Sequence, residues 1–117
     1  MNDLRGRIDA IVRCYCEWAD DDWTLFAYHL LTQHMFLSQL PEDTPNPVDV
    51  LRGVIVQAMK AGEIPERDPD LAAASAIGTV MQPATYKVYG RFEGPLGVHA
   101  GFFAQAVWAV LSAPADD

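Results

Sequence analysis

The sequence contains LAAASAIGTVMQPATY at residues 71–86 and GPLGVHAGFFAQAVWAVLSAPA at residues 94–115, two stretches without Asp, Glu, Lys or Arg. Both stretches carry helix signals. Asp68-Pro69 is an N-cap followed by a proline, Gly90 is a stop, and Gly94-Pro95 opens a further helix that ends before Pro114. Because a helix without a polar face must be covered on more than one side, we predict that both helices are buried by protein.

The second stretch is long enough to be compared with a membrane span, which needs about 20 apolar residues. It contains Pro95, His99, Gln105 and Pro114, and its flanks are acidic rather than basic. A helix covered by protein is therefore the better interpretation.

Three amphipathic helices are predicted before this pair. The first covers residues 3–19, with apolar side chains at helical spacing from Leu4 to Trp18. Asp20-Asp21-Asp22 interrupts it and offers an N-cap to a second helix that reaches residue 37. After a proline-rich connector, residues 41–47, a third helix begins at Asn46-Pro47 and ends at Gly62. No alternating strand pattern of useful length is present, so the fold class is all-α, one five-helix domain over residues 1–117, with a kink in the fourth helix near Pro83.

The composition of the last two helices predicts a homodimer. Three short amphipathic helices can cover one side of this pair, and a second copy would cover the other in a four-helix bundle about a two-fold axis. Burial of about ten more large side chains yields roughly 15–30 kcal/mol, against an association cost of about 4–15 kcal/mol. The predicted interface residues are Ile77, Val80, Ala84, Gly97, Gly101, Ala104, Trp108 and Leu111.

The charge balance argues against nucleic acid and against anionic membranes as partners. The formal net charge is -8, and the eight Lys and Arg residues are scattered, whereas phosphate binding requires clustered basic side chains. The N-terminus has no apolar signal-peptide core. Cys14 and Cys16 are two residues apart on a helix, about 200° from each other, which suits separate, buried or half-buried thiols of a reducing cytoplasm.

Catalytic and metal-binding patterns are missing from the sequence, so no enzyme activity, metal or other cofactor is predicted. His29 and His34 are five residues apart, whereas a helical metal site uses a spacing of four. A hard-cation site at Asp20, Asp21 and Asp22 is the alternative to a solvated capping loop, which we favour.

Large adaptable side chains on the first four helices favour a small-molecule site between helices. Gln82, Thr85 and His34 are candidate polar anchors, and Pro83 would leave the carbonyl of Thr79 without its helical partner. Each apolar candidate is also compatible with an ordinary core position. The predicted ligand-binding residues are Tyr15, Trp18, Phe26, Leu30, His34, Ile55, Met59, Met81, Gln82, Thr85 and Tyr86.

Residues 59–80, MKAGEIPERDPDLAAASAIGTV, and residues 86–111, YKVYGRFEGPLGVHAGFFAQAVWAVL, resemble the C-terminal effector-binding domain of TetR-family transcriptional regulators. The resemblance implies an apolar effector cavity and a dimer formed by the last two helices. Residues 1–19 resemble the helix that links this domain to a DNA-binding headpiece, and residues 113–117 form a tail. The basic helix-turn-helix headpiece itself is absent, so this chain alone should not bind an operator.

The leading hypothesis is therefore a dimeric sensor domain for a hydrophobic or aromatic small molecule. A free-standing interaction module that pairs with a full-length regulator is the alternative, and a small helical enzyme is a weaker one. Whether the chain is part of a longer regulator or a separate gene product stays open at this point.

Overall fold

The computed structural model describes residues 4–38 and 47–114, and the side chains of residues 4–30 and 49–114. Five α-helices follow one another: α1 (Leu4–Asp21), α2 (Trp23–Ser38), α3 (Pro47–Lys60), α4 (Pro69–Val88) and α5 (Ala100–Ser112), with a 3₁₀ turn (Leu96–His99) before α5. No strand occurs among the described residues. The all-α, five-helix prediction is confirmed, while the proline-rich connector and the cap at Asn46 lie outside the described residues.

Local signals set the bounds of the helices. The Asp68 carboxylate accepts a hydrogen bond from the backbone N–H of Asp70 at 2.9 Å, and Pro69 occupies the first helical position of α4. Gly62 and Gly90 follow the ends of α3 and α4 with φ of 77° and 76°, a conformation that favours glycine. α4 continues through Pro83 as one helix.

The core forms where α1 packs against α5 and α2, and where α4 packs against α5, α3 and α2. α1 contributes a buried stripe at helical spacing: Leu4, Ile8, Val12, Cys16 and Ala19. α4 contributes mainly alanines, and α5 contributes larger side chains such as Phe103 and Leu111. Small residues on one helix let the larger side chains of its neighbours fill the space between them. Among the described residues, no helix is both long and apolar enough to span a lipid bilayer.

Carboxylate hydrogen bonds connect both ends of α1 to distant parts of the chain. The backbone N–H of Leu4 donates to the Glu63 carboxylate at 3.0 Å. At the other end, the Asp20 carboxylate accepts hydrogen bonds from the N–H groups of Leu96 and Gly97 at 2.7 and 2.8 Å. Asp20 therefore caps the 3₁₀ turn before α5, whereas Asp22 caps α2, through the N–H of Leu25 at 3.2 Å.

Gly97 has a different role from the one expected from the sequence. A Cβ atom at this position would lie 2.9 Å from an Asp20 carboxylate oxygen. The close approach at Gly97 is therefore made by the Asp20 side chain of the same chain, which would have to shift to admit a larger residue.

Half of the predicted interface residues lie inside the single chain. Their exposed fractions are 7% for Val80, 0% for Ala84, 9% for Ala104 and 1% for Leu111. Each of α4 and α5 has one buried and one exposed face, and these four residues lie on the buried faces, so they are not accessible to a partner. Ile77 and Trp108 are half-buried, and Gly97 and Gly101 are exposed. Any interface through this pair must use its exposed faces.

Candidate functional site

A small apolar cavity lies between α1, α3, α4 and α5. Its volume is about 90 Å³, below the roughly 150 Å³ of an engineered protein cavity that holds benzene. Tyr15 is the one lining residue whose side chain carries a polar group. The lining residues are Ile8, Ile11, Val12, Tyr15, Leu51, Ala76, Ile77, Val80 and Val107.

Helical spacing on α1 explains one wall of this cavity. Ile8, Ile11, Val12 and Tyr15 are separated by three, one and three residues, which places them on one face of the helix. The facing wall on α4 includes Ala76, whose small side chain leaves space that a larger one would fill. The cavity therefore exists because α4 presents small side chains to α1.

An aromatic cluster extends from the Tyr15 end of the cavity. The ring of Phe26, itself 2% exposed, lies 5.1 Å from Tyr15 and 5.0 Å from Trp18, both in edge-to-face geometry. It also stacks on Trp23 at 5.6 Å. Such pairs stabilise the corner between α1 and α2 beyond simple area burial. Burial raises the pKa of the Tyr15 hydroxyl, so the hydroxyl is neutral and available as a hydrogen-bond donor at physiological pH.

The predicted ligand residues are distributed over three places. Tyr15 lines the cavity, and Trp18 and Phe26 pack behind it. Gln82 and Tyr86 lie at a separate cleft described below. The remaining candidates with described side chains are buried or half-buried in the core or on α4: Leu30, Ile55, Met59, Met81 and Thr85. The side chain of His34 lies outside the described residues.

Thr85 is already engaged within its own helix. Its hydroxyl donates to the carbonyl of Met81 at 3.0 Å, so it does not serve as a free polar anchor in this conformation. Sequence reasoning also missed most of the cavity wall: Ile8, Ile11, Val12, Leu51, Ala76 and Val107. The periodicity of α1 could have indicated the first three, whereas no sequence signal distinguishes Ala76 from the other alanines of α4. Ile77 and Val80, predicted at the dimer interface, are cavity residues.

A second concave feature lies on the surface. It is a cleft of about 300 Å³ lined by Gln82, Pro83 and Tyr86 of α4 and by Phe92 of the following turn. Pro83 has no N–H, so α4 lacks the helical hydrogen bond to the carbonyl of Thr79 beside this cleft. The cleft is shallow and open to solvent, so an aromatic ring of another molecule could lie against its walls.

The cleft belongs to an exposed surface without charged side chains, which we call the uncharged face. On α4 and its end it comprises Leu71, Ala74, Ser75, Gln82, Tyr86 and Tyr89, and on α5 and its preceding turn it comprises Val98, Gly101, Phe102, Gln105 and Ala109. Several members are large and strongly exposed: Tyr89 at 65%, Phe102 at 68% and Val98 at 72%. Large exposed apolar side chains grouped on one face of a helix are typical of interaction sites.

Basic side chains are largely engaged within the chain. Arg5 lies over the ring of Trp108 at 5.6 Å, and Lys87 lies over the ring of Trp23 at 4.3 Å. Such cation–π contacts link α1 to α5 and α4 to α2.

Three further arginines have polar partners. Arg13 pairs with Asp9 and Arg52 with Asp70, each at 2.9 Å, and Arg67 donates to the carbonyl of Ala113. These five basic residues thus make their contacts within the chain from separate positions.

No family model, no curated protein and no solved structure matches this sequence. Within residues 4–30 and 49–114, no three His, Cys, Asp or Glu side chains come together as a potential metal site. The features of this chain that bear on its function are the cavity, the aromatic cluster and the uncharged face.

Proposed function

We propose that this chain is the effector-binding and homodimerisation domain of a TetR-like transcriptional regulator of the cytoplasm, and that it senses a small hydrophobic or aromatic molecule. The observation that carries the proposal is the uncharged face, which extends along α4 and α5 of a chain with a net charge of -8. A second copy that covered this face would bury any charged side chain on it. A homodimer therefore explains why this face has no charged side chains, although the rest of the chain has many. The resemblance of residues 59–80 and 86–111 to that family supports the same arrangement.

The apolar cavity between α1 and α4 is the proposed effector site. Its lining would select against phosphates and sugars, because burying a charged or strongly polar group there without a partner is costly. The neutral Tyr15 hydroxyl would supply one hydrogen bond to the ligand. At about 90 Å³ the cavity is smaller than a benzene site, so an aromatic effector would have to move α1 away from α4.

Such a displacement would couple ligand binding to the rest of a regulator. In an intact protein α1 would continue into the DNA-binding headpiece, and a ligand that prefers the widened cavity would shift the population of α1 positions. Hydrogen bonds hold α1 in its present position at both ends, through Glu63 and through Asp20, which contacts the turn before α5. A ligand that widens the cavity would have to displace α1 from this position.

The ligand proposal is tested with Ala76→Leu, which fills the cavity from the α4 side. Wild-type protein should be stabilised in thermal unfolding by members of a library of small apolar and aromatic compounds, and native mass spectrometry should show them bound. Ala76→Leu should lose most of that stabilisation. Ala10→Leu, on an exposed part of α1, is the matched control and should respond like wild type.

Two results would contradict the proposed ligand class. Stronger stabilisation by polar phosphates than by apolar compounds would exclude an apolar effector. An unchanged ligand response in Ala76→Leu would place the binding site elsewhere. The regulatory part is tested on the gene, where coding sequence for a basic helix-turn-helix should precede Met1 in frame.

A further inference from the structure

We propose that the surface cleft formed by Gln82, Pro83, Tyr86 and Phe92 is the socket for Phe102 of a second copy of this chain. The inference rests on the proposed homodimer and adds which side chain anchors it and where that side chain binds. The cleft and Phe102 both belong to the uncharged face, one as its concave part and the other as its protruding aromatic side chain.

The two features are matched in size and chemistry. Phe102 is 68% exposed, although it is a phenylalanine on a helix of 13 residues that buries three large side chains elsewhere. The cleft has a volume of about 300 Å³ and is open to solvent, so a ring from another chain can lie against its walls without any opening of the fold. Its walls are apolar atoms of Tyr86, Phe92, Pro83 and Gln82, so a phenyl ring meets no charge there.

The surface around these features is continuous. The rings of Tyr86 and Tyr89 lie 6.3 Å apart on one side of the cleft. On the other side, the ring of the exposed His99 lies 6.1 Å from Phe92. Phe102 follows His99 by three residues and is also exposed, so the cleft and the protruding phenylalanine are joined through His99.

The exposed area is sufficient to anchor a dimer. Tyr86, Tyr89 and Phe102 are 48%, 65% and 68% exposed. At 150–250 Å² for a fully exposed aromatic side chain, these three alone offer roughly 270–450 Å². This is about a third to a half of the roughly 800 Å² that each partner buries in a standard interface. Leu71, Val98 and the small residues of the same face contribute the rest.

Two-fold symmetry fits the positions of socket and anchor. A short connection joins α4 to α5, so the cleft at the C-terminal end of α4 and Phe102 near the N-terminal end of α5 lie at the same end of the helix pair. A two-fold axis that lies in the interface, parallel to α4 and α5 and midway between them, places α5 of one copy over α4 of the other at the same end. Each Phe102 then meets the cleft of the other copy, and both contacts form at once, as an isologous interface requires.

A pair of complementary variants tests this arrangement. In Phe102→Asp the anchor is negative and the socket is native, and in Gln82→Arg the socket is positive and the anchor is native. Each variant alone places a buried charge in both contacts of its homodimer, so its dissociation constant should rise about 30-fold or more, as for an interface anchor. An equal mixture should form a heterodimer. In that heterodimer the introduced carboxylate would meet the introduced guanidinium, and the remaining Phe102 would meet the native cleft.

The matched control is Ser75→Arg, an exposed position two helical turns before Gln82 on the same face of α4. Sedimentation and native mass spectrometry should detect the heterodimer of Phe102→Asp with Gln82→Arg and not with Ser75→Arg. Equal pairing with both arginine variants, or no pairing with Gln82→Arg, overturns the socket. A dimeric wild type whose Phe102→Asp variant dimerises equally well overturns the socket and leaves the proposed dimer intact. A monomeric wild type overturns both proposals.

Discussion

Cys14 and Cys16 are two positions apart on α1, and their side chains lie in opposite surroundings. Cys14 is exposed, whereas Cys16 is fully buried in the core stripe of α1. Burial raises the pKa of the Cys16 thiol, and the negative charge of Asp20 raises it further, against a smaller opposing effect of Arg13. The buried Cys16 agrees with the sequence-based expectation of buried or half-buried thiols, whereas Cys14 is exposed because a separation of two residues turns it to the other side of α1.

We expect the two thiols to react at very different rates with a soluble disulfide reagent at pH 8. Only the thiolate attacks a disulfide, and Cys16 is both inaccessible and protonated in the folded chain. One thiol per chain should react rapidly, and the second should react only at the rate of unfolding. Cys14→Ser should abolish the rapid phase and keep the slow one. Equal rates for both thiols would show that the α1–α5 core opens frequently.

The raised pKa of Cys16 also predicts the sign of a stability change in alkaline solution. The folded state holds the thiol proton to a higher pH than the unfolded state, whose thiol ionises near pH 8.5. Below that pH the group contributes no pH dependence. As the pH rises through the unfolded pKa, the unfolded state loses its proton first, so the free energy of unfolding falls. Chemical denaturation of wild type and Cys16→Ala between pH 7 and 10 should show a steeper decline for wild type.

At the scale of the helices, α1 is tied at both ends to distant parts of the chain. The Glu63 carboxylate holds its first N–H group, and Asp20 near its C-terminal end holds the N–H groups that begin the turn into α5. These ties fix the register of α1 along the core and so fix the wall of the apolar cavity.

Replacing Asp20 by Ala should destabilise the fold by about 1–2 kcal/mol, the usual cost of losing a capping carboxylate. The two N–H groups of Leu96 and Gly97 would lose their acceptor. Asp21→Ala is the control, because it removes a charge from the same end of α1 without removing a hydrogen bond between described residues; it should change stability by about 0.5 kcal/mol or less. If both variants change the free energy of unfolding equally, the effect of Asp20→Ala comes from the lost charge at the end of α1 and not from the lost hydrogen bonds.

Asp22 and Asp20 show which hydrogen bonds of a carboxylate can be predicted from the sequence and which cannot. Asp22 caps α2 three residues away, and Asp68-Pro69 begins α4, because both effects involve neighbouring backbone. Asp20 acts 76 residues away, on a turn that only the folded chain brings close. Neighbouring residues therefore predict where helices begin and end. They do not predict which of the three adjacent carboxylates accepts hydrogen bonds from a turn that is distant in the sequence.

The faces of α4 and α5 were unpredictable for a related reason. Both helices carry apolar side chains on all sides, so their composition predicts that two faces of each helix are covered. Composition does not tell which face packs against α1 and which face would contact a partner. Val80 and Leu111 pack against the rest of the chain, and Phe102 points outward. The cavity could not be predicted for the same reason, because its α4 wall depends on which alanines of α4 face α1.

At the scale of the whole molecule, the proposed dimer gives the buried and the exposed faces of α4 and α5 different roles. The buried faces hold one chain together, and the uncharged face would join two chains. Gly101 and Ala104 lie three residues apart on α5, yet a Cβ atom at Gly101 meets no other atom within 4 Å, whereas Ala104 is 9% exposed. A charge at these two positions should therefore act on different equilibria.

We expect Gly101→Glu to weaken the dimer while leaving the monomer folded and somewhat more stable. Replacing a helical glycine removes about 0.5–1 kcal/mol of backbone entropy cost, and a carboxylate in the first turn of α5 interacts favourably with the helix dipole. Ala104→Glu should instead unfold the chain, because a charge in the core has no partner. Circular dichroism and sedimentation measured on both variants distinguish the two outcomes. A Gly101→Glu protein that remains as dimeric as wild type would place the interface away from this end of α5, whereas a folded Ala104→Glu monomer would mean that the buried face of α5 is the one that joins two chains.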